Sequence, residues 1–308
     1  MRKYGDYQPR LNKKIRDANK QTKFPLIELF ILILALGTIY TVAYFRNQKA
    51  GTVKGTKIVI NSPRIEAPVP TLTPSQSSQN QKVEQIFAND IPHLEGHWAV
   101  IVKNVKSQKT YSYNGLDIFP SASLYKLEVM WSTFQAIDNG NLKEDSAAEA
   151  WTVSDALSAM ITVSDNDAAI SLAEDLGWDK IEQDMKKEGF SSVDLTSEDS
   201  PFINAKDTEA ILERIYNNTA VSQTASEQMK KLLFSQQIND RIPADLPPDV
   251  QVGHKTGEID NYRHDAGIVI GKKSDYIFVF LTETPNPGDT PDTIATLSKK
   301  LYDALESQ

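Results

Sequence analysis

The stretch 121-SASLYKL-127 places a hydroxyl, on Ser123, and an amine, on Lys126, three residues apart at the start of an apolar segment. Apolar residues recur from Leu124 to Phe134 at the i, i+3, i+7 and i+10 positions, which predicts a helix with one buried face. We therefore expect Ser123 in the first helical turn, with Lys126 projecting from the same side. The positive end of the helix dipole favours negative charge that develops there.

A serine becomes a good nucleophile only when a base removes its proton, and a lysine can be that base only when burial or nearby cations lower its pKa. The pattern S-x-x-K occurs about once by chance in a chain of this length. Taken alone, it is explained as well by a capping serine followed by a solvated lysine. Two later motifs favour the catalytic interpretation.

The chain opens with a basic arm, residues 1–24, which holds eight lysines and arginines against two aspartates. Residues 25–45 follow as an apolar run of the length that a bilayer requires. The positive-inside rule then predicts a single-pass membrane protein with a cytoplasmic N-terminus and everything after residue 46 outside. A cleaved signal peptide is the competing interpretation, but no A-x-A-like site follows the run. A buried core helix is a third, which lacks an amphipathic partner pattern.

Residues 46–80 are rich in Pro, Ser, Thr, Gln and Asn and lack periodicity, which predicts a flexible tether with a mean span of about 30–35 Å. The remaining domain, residues 81–308, contains 20 Lys/Arg against 37 Asp/Glu, a net charge of −17. Such an acidic domain argues against a nucleic-acid partner. The chain has no cysteine, and its four histidines lack metal-ligand spacing, so we expect neither disulfides, nor a metal, nor another cofactor.

The domain is expected to have a mixed α/β (α+β) fold, because strand-like segments at both of its ends flank a helical middle. Polar residues 164–167 interrupt the helical pattern of residues 140–190. The predicted strands are 97–105, 110–114, 250–254, 265–271 and 276–283, and the other predicted helices are 83–90, 207–216, 226–233 and 291–305. An antiparallel sheet flanked by helices and packed against a helical lobe satisfies this order, with the site in a cleft between them.

Two further motifs fall beside this expected cleft. Ser164-Asp165-Asn166 lies in the polar break between two helices, and Lys255-Thr256-Gly257 follows the predicted strand 250–254. Each triplet occurs by chance in only a few per cent of chains of this length. The ordered set S-x-x-K, S-D-N and K-T-G is therefore poorly explained by coincidence.

With these motifs, residues 82–308 resemble the class A β-lactamase-like serine hydrolases, a group related to the penicillin-binding proteins. The phrases 254-HKTGEID-260 and 239-NDRIP-243 look like those of a broad bacterial branch of such hydrolases. The resemblance implies a β-lactamase/transpeptidase-like fold and an amide-opening enzyme that works through an acyl-enzyme.

The resemblance also implies a role for each motif residue in acylation. Ser123 would attack the carbonyl, and Lys126 would accept its proton directly or through water. The backbone N–H groups of Ser123 and Glu258 would form the oxyanion hole. Ser164 would relay a proton to the leaving nitrogen, and Lys255 would keep the cleft positive.

Substrate binding is implied for the remaining motif residues. Asn166 would bind the substrate's side-chain amide, while Thr256, in the segment that Gly257 completes, would bind its carboxylate together with an arginine. Arg241, fourteen residues before Lys255, and Arg263 are the two candidates for that arginine, and we favour Arg241.

Each of these motifs also has a simpler structural interpretation. Ser164-Asp165-Asn166 can cap the next helix, which is compatible with catalysis. Lys255-Thr256-Gly257 can be an ordinary strand with a solvated lysine and a glycine bulge. Arg263 and His264 fit a plain edge-strand face equally well. The side chain of Glu258 is expected to be incidental, since only its N–H enters the mechanism.

The resemblance fails at the residue that would release the acyl group. Class A β-lactamases carry a glutamate in an E-x-x-x-N pattern before an Asp-Thr pair, for which Asp207-Thr208 can stand. Here Glu198 and Asn204 are six residues apart. Glu198 could serve as the deacylating base in a rebuilt loop, but an exposed loop carboxylate is the simpler interpretation. Without such a base, a β-lactam would leave slowly, as it does from penicillin-binding proteins.

The sequence thus favours a membrane-anchored serine β-lactamase acting on β-lactams, by analogy a bacterial antibiotic-resistance enzyme. A D,D-carboxypeptidase acting on cell-wall peptides is the first alternative, and a catalytically silent binding domain is the second. The expected partners are a β-lactam or cell-wall peptide and the membrane contacted by residues 25–45, whereas the oligomeric state is left open.

Overall fold

The computed structural model of the protein describes residues 74–197 and 201–307. The predicted cytoplasmic arm, membrane span and most of the tether lie outside these residues. A helix, Pro74–Gln85, nevertheless begins inside the segment predicted as a tether, because its last turn buries Val83 against the C-terminal helix region. Tertiary packing of this kind stabilises helices whose sequence alone does not predict them. Within the described part of the chain, no helix has both the length and the apolarity that crossing a membrane requires.

The elements follow one another in an order that places strands at both ends of the domain. The strands are β1 (His97–Asn104), β2 (Thr110–Tyr113), β3 (Ile118–Pro120), β4 (Ala147–Ala148), β5 (Trp151–Thr152), β6 (Phe202–Asn204), β7 (Gln251–Ile259), β8 (Tyr262–Ile270) and β9 (Asp275–Glu283). The helices are α1 (Pro74–Gln85), α2 (Lys126–Asp138), α3 (Val153–Thr162), α4 (Asn166–Leu176), α5 (Trp178–Lys187), α6 (Ala205–Tyr216), α7 (Gln223–Leu233) and α8 (Thr290–Glu306).

The main sheet is antiparallel, with the strand order β2-β1-β9-β8-β7. Because β1 pairs with β9, the two ends of the domain meet in one sheet, and this confirms the predicted mixed fold. β7 forms one edge of the sheet and pairs only with β8 among the described strands. The edge position leaves one side of β7 open to the helical lobe.

Side chains alternate across the sheet and fill two cores, as the two-residue period of a strand requires. On one face, Trp98, Val100 and Val102 of β1 pack in a cluster with residues of α1 and α8. On the other face, Ala99 and Ile101 join a larger cluster contributed by the helical lobe. The sheet is therefore covered on both faces, and its open edge is where a site can form.

Several predicted boundaries are wrong. The strand β8 and the helix α7 each begin three residues before the predicted start, and the β4–β5 pair lies within the segment 140–190 that was predicted as helical. Two further differences have identifiable reasons. The strand predicted to end at residue 254 continues to Ile259, so Lys255-Thr256-Gly257 lies inside β7 and does not follow it. The strand was predicted to end early because the residues that continue it are polar, although the side chains of Lys255 and Thr256 are buried. The helix predicted over residues 83–90 is the end of α1, followed by the π-helical turn Ile86–Asp90.

Candidate active site

Ser123, the predicted nucleophile, lies in a single 3₁₀ turn, Ala122–Tyr125, which we call the nucleophile turn, and α2 begins only at Lys126. Ser123 therefore precedes the first α-helical turn, in which the apolar spacing placed it. Ala122 has a φ of 47°, in the left-handed region that residues with a Cβ rarely adopt. The Ser121 N–H donates to Pro201 O at 2.7 Å and fixes the entrance of this strained turn. The strain presents Ser123, which is partly exposed, ahead of the helix.

Lys126 is completely buried, and its amine lies among oxygen atoms of the predicted motifs. Its Nζ is 3.1 Å from Ser123 Oγ, 3.2 Å from Ser164 Oγ and 2.7 Å from Ser164 O. It is also 2.7 Å from Asn166 Oδ1. The predicted placement of Ser123 and Lys126 on one side is confirmed, and the S-D-N motif meets the same amine.

The residues of the S-D-N motif have two kinds of contact: one residue caps a helix, and the other two lie at the site. Asp165, not Ser164, caps α4, because its Oδ1 accepts a hydrogen bond from the Ala168 N–H at 2.8 Å. Ser164 has a φ of 58°, a second left-handed residue at the site. The cap therefore leaves Ser164 and Asn166 to contact Lys126.

Lys255 reaches the same hydroxyl from β7. Its Nζ donates to Ser164 Oγ at 2.8 Å and to Thr256 O at 2.8 Å, and the residue is fully buried. Ser164 Oγ thus lies between two lysine amines. We call Ser123, Lys126, Ser164 and Lys255 the acylation cluster.

Both lysines of the acylation cluster have lowered pKa values. Burial lowers the pKa of Lys126 to about 7, against an opposing effect of the Asp165 charge. Burial also holds the pKa of Lys255 well below its usual range, with further lowering by Lys126 and Arg241. Among the described residues, no carboxylate forms a salt bridge with either amine. Lys126 is therefore suited to act as a base, whereas Lys255 is less suited to the fixed positive charge expected of it.

Gly257 allows β7 to lie directly against the nucleophile turn. A Cβ at this position would stand 3.1 Å from Ser121 O and 3.3 Å from the Ala122 Cβ, closer than side chains usually approach. The residue is needed for this close approach, not for a bulge. Thr256, almost fully buried, precedes it and the Glu258 backbone follows it. The oxyanion role of the Ser123 and Glu258 N–H groups stays a prediction.

The two candidate arginines converge on one carboxylate, that of Glu258. Arg241 Nη2 donates to Glu258 Oε2 at 2.8 Å, and Arg263 Nη2 lies 3.3 Å from Glu258 Oε1. The expectation that the Glu258 side chain is incidental is therefore wrong. Sequence spacing could not reveal this contact, because Arg241 lies in a loop and Arg263 on the neighbouring strand. We call Arg241, Arg263 and Glu258 the arginine cluster.

Two buried histidines form hydrogen bonds beside these clusters. His264 is fully buried on β8, an interior strand, so the edge-face interpretation is wrong. Its Nδ1 accepts from the Thr282 N–H at 3.0 Å, its Nε2–H donates to Pro120 O at 2.8 Å, and burial lowers its pKa to about 4. His254 lies 2.8 Å from Asp265 and 3.0 Å from Asn239, in the loop that leads to Arg241.

Comparison with known proteins decides the family. The model of the beta-lactamase enzyme family matches residues 80–305, most of the chain. The chain belongs to this family. No curated protein sequence matches it significantly.

Solved structures with the same fold include several members of this class. A class A β-lactamase from Bacteroides cellulosilyticus is 22% identical, with a TM-score of 0.67 over 75% of this chain and 99% of that chain. A β-lactamase from Chitinophaga pinensis is 21% identical, with a TM-score of 0.65 over 73% and 98%. A PBP-A variant, solved as its acyl-enzyme with penicillin G, is 20% identical, with a TM-score of 0.67 over 74% and 97%.

Family membership makes this β-lactamase family protein a serine hydrolase that acts through an acyl-enzyme. The alternative of a catalytically silent binding domain is thereby set aside. Five residues of the three motifs are linked by hydrogen bonds: Ser123, Lys126, Ser164, Asn166 and Lys255.

The segment before α6 gives this β-lactamase family protein no described deacylating base. Glu198 lies outside the described residues. Asn204 Oδ1 accepts the Asp207 N–H at 2.7 Å and so caps α6, while Asp207 accepts the N–H and hydroxyl of Ser192, each at 2.7 Å. The Asn204 side-chain oxygen is therefore committed to the helix.

A second acid, Glu128 on α2, was not predicted from the sequence. It is buried, neither carboxyl oxygen has a hydrogen-bond partner among the described residues, and burial raises its pKa to about 8. The signal was visible as a single acid inside the apolar run after Lys126. The charge of Asp207, in the first turn of α6, raises this pKa further.

Proposed function

We propose that this protein opens the amide of β-lactams and hydrolyses the acyl group that is then bound to Ser123. The observation that carries the proposal is the Lys126 amine, buried 3.1 Å from Ser123 Oγ with a pKa of about 7. A lysine with this pKa is largely neutral just above pH 7 and can accept the serine proton. When Lys126 is neutral, the Ser123 O–H donates a hydrogen bond to Lys126 Nζ across this distance of 3.1 Å.

Acylation follows from the contacts of the acylation cluster. Ser123 Oγ attacks the lactam carbonyl carbon while Lys126 takes its proton, and the N–H groups of Ser123 and Glu258 hold the oxyanion. Ser164 then gives its proton to the lactam nitrogen and is reprotonated by Lys126, 3.2 Å away. The C–N bond breaks, which leaves the acyl group on Ser123.

Substrate binding is proposed at the edge of β7. Asn166 would bind the side-chain amide of the substrate through its NH₂ group, because its Oδ1 already accepts from Lys126. Thr256 and the arginine cluster would lie on the other side of the scissile bond and would hold the carboxylate of a penicillin. Hydrolysis of the acyl-enzyme is assigned to water activated by Glu198.

A second function, that of a D,D-carboxypeptidase on cell-wall peptides, is favoured by one observation. The side-chain oxygen of Asn204 accepts the hydrogen bond that caps α6, and Asn204 does not form an E-x-x-x-N pattern with Glu198. Poor activation of the deacylating water would leave a penicillin bound to Ser123, whereas a peptide ester could still be released.

An intact-mass time course of the full-length protein with benzylpenicillin tests both proposals. An adduct that forms and decays within minutes supports β-lactam hydrolysis, whereas an adduct that persists for hours supports the peptidase. Ser123→Ala should abolish the adduct, and Ser158→Ala, which changes an exposed serine on α3, should not affect it. Absence of any adduct in the unchanged protein, with the benzylpenicillin left unhydrolysed, would contradict both functions.

We further propose that residues 25–45 anchor the protein in a membrane, with residues 1–24 in the cytoplasm. The proposal is supported by the uncharged run 29–45 and by the excess of basic residues before it. The absence of cysteine permits a clean test with single introduced cysteines. In intact cells, an impermeant maleimide should label Ser62→Cys and should label Thr22→Cys only after permeabilisation. The reverse labelling pattern, or recovery of the protein in the soluble fraction without detergent, would contradict the proposal.

A further inference from the structure

The arginine cluster is already occupied by an anion that belongs to the protein. The two oxygens of Glu258 face different guanidinium groups, Oε2 toward Arg241 at 2.8 Å and Oε1 toward Arg263 at 3.3 Å. A carboxylate held between two arginines is the arrangement that a bound substrate carboxylate would itself adopt. Glu258 therefore stands in the place of that ligand.

The charges around the cluster also cancel. Arg241 Nη1 lies 3.5 Å from the carboxylate of its neighbour Asp240, in addition to its contact with Glu258. Two guanidinium charges are thus balanced by two carboxylates. A substrate carboxylate that approaches this cluster meets a neutral group of side chains, and it must displace Glu258 or accept repulsion from it.

Arg241 and Glu258 differ in their exposure to solvent. The Arg241 side chain is almost fully buried, and its Nε has no hydrogen-bond partner among the described residues. The Glu258 side chain, by contrast, is 58% exposed and can turn toward solvent. The arginine is fixed and the glutamate is movable, so the contact between them can open.

On the basis of the proposed function, we infer that Glu258 is a specificity-determining residue that disfavours substrates with a free carboxylate at this position. Glu258 acts as a competitor of modest strength, because exposed ion pairs contribute only about 1 kcal/mol, which corresponds to about fivefold in affinity.

The test compares an anionic probe with its uncharged ester. In a Ser123→Ala background, dissociation constants are measured for benzylpenicillin and for its methyl ester, so that binding is read without acylation. Adding Glu258→Gln, which keeps the backbone N–H and the side-chain shape, should strengthen benzylpenicillin binding by about fivefold. The ester should change by less than about twofold, since it brings no charge to the cluster.

Asp260→Asn is the matched control, because it removes a negative charge from the same β7–β8 hairpin. Arg263 contacts the backbone oxygen of Asp260, at 2.9 Å, and the substitution keeps that atom. Asp260 has a φ of 44°, which asparagine tolerates. The ratio of the two dissociation constants should therefore stay as it is in the Ser123→Ala parent.

The outcomes separate this inference from the proposed function. A selective gain for the anion with Glu258→Gln, absent with Asp260→Asn, supports it. An equal change for both probes, no change, or the same change with Asp260→Asn overturns it even where the unchanged protein is acylated at Ser123. If neither probe binds and the unchanged protein forms no adduct, the proposed function fails and the inference fails with it.

Discussion

At one end of the site, Lys126 and Lys255 are buried and bonded only to neutral oxygens among the described residues, whereas at the other end Arg241 and Arg263 share a carboxylate. Both pairs of cations border the same strand, β7. Burial lowers the pKa of each lysine. The arginines stay charged, since a guanidinium does not lose its proton in proteins.

The difference shows how a base, on α2, and a group of paired arginines can lie beside the same strand. A buried lysine without a counter-ion becomes an amine that can take a proton, because desolvation disfavours its charged form. An arginine paired with a carboxylate presents fixed hydrogen-bond donors and no net charge. The residue type and the presence of an internal counter-ion therefore decide which task each end performs.

The largest effect is expected from removing the base at the lysine end. Lys126→Met should slow acylation of Ser123 by benzylpenicillin by about 10³-fold, because no other described group lies where it could take the serine proton. The rate is measured from adduct formation by mass spectrometry. Lys143→Met, which removes an exposed lysine, should leave the rate unchanged. A loss below about tenfold for Lys126→Met would assign the base elsewhere.

The next prediction concerns the pH dependence of that base. Lys126 must be neutral to act, so the acylation rate should rise with pH, level off above about 7, and fall about tenfold per pH unit below it. Asp165→Asn removes the charge that raises the pKa of Lys126 and should move the midpoint to lower pH, while asparagine still caps α4.

Asp167→Asn, an exposed change in the same helical turn, serves as the control for this shift. Its midpoint should match that of the unchanged protein. A midpoint that moves to higher pH in Asp165→Asn, or that moves equally in both variants, would show that Asp165 does not act on Lys126.

A smaller effect is expected where β7 meets the nucleophile turn. Gly257→Ala would bring a Cβ to 3.1 Å from Ser121 O, so the turn or the strand must shift. We expect acylation to slow by about 10- to 100-fold, together with a loss of about 1–3 kcal/mol in unfolding free energy. Gly288→Ala, where a Cβ meets nothing within 4 Å, should change neither quantity. Unchanged acylation in Gly257→Ala would mean that the close approach is dispensable.

The smallest effect on activity is expected from Glu128. This acid is buried, and its carboxyl oxygens have no hydrogen-bond partner among the described residues. Its folded pKa of about 8 exceeds the ordinary value of 4.5, so the folded state retains a proton that the unfolded chain loses between these pH values. Glu128 therefore makes the protein less stable as pH rises from about 4.5 to about 8.

Glu128→Gln should flatten that decline and leave acylation nearly unchanged. Unfolding free energies from denaturant titrations at pH 5 and pH 8 measure the difference. The unchanged protein and the variant should differ more at pH 8 than at pH 5. An identical pH dependence in both proteins would show that Glu128 ionises normally in the folded state.

Much of the acylation cluster was predictable because its spacing is local or its motifs are rare. Ser123 and Lys126 are one turn apart, so the helical period alone placed them together. Ser164 and Lys255 are distant in sequence, and only the resemblance to a family brought them to the same site. The antiparallel sheet followed from strand-like segments at both ends of the domain, although polar residues concealed the true end of β7.

The arginine cluster and the burial of His264 and Glu128 were not predictable in this way. Nothing in the spacing of Arg241, Glu258 and Arg263 indicates that a loop and two paired strands bring them into contact. His264 resembled a surface residue because its neighbour is an arginine, yet β8 lies inside the sheet. Glu128 was hidden by the apolar residues around it.

By itself, the sequence determined the mixed fold, the S-x-x-K pair and the acidic character of the domain, because periodicity, local spacing and composition need no long-range contact. Only the tertiary structure decided that Lys126 lies among four motif oxygens with no salt bridge in the described part of the chain, that Glu258 contacts both arginines and that Asn204 caps a helix. Burial and pairing are properties of distant segments packed together, and they set the protonation and charge on which the chemistry depends.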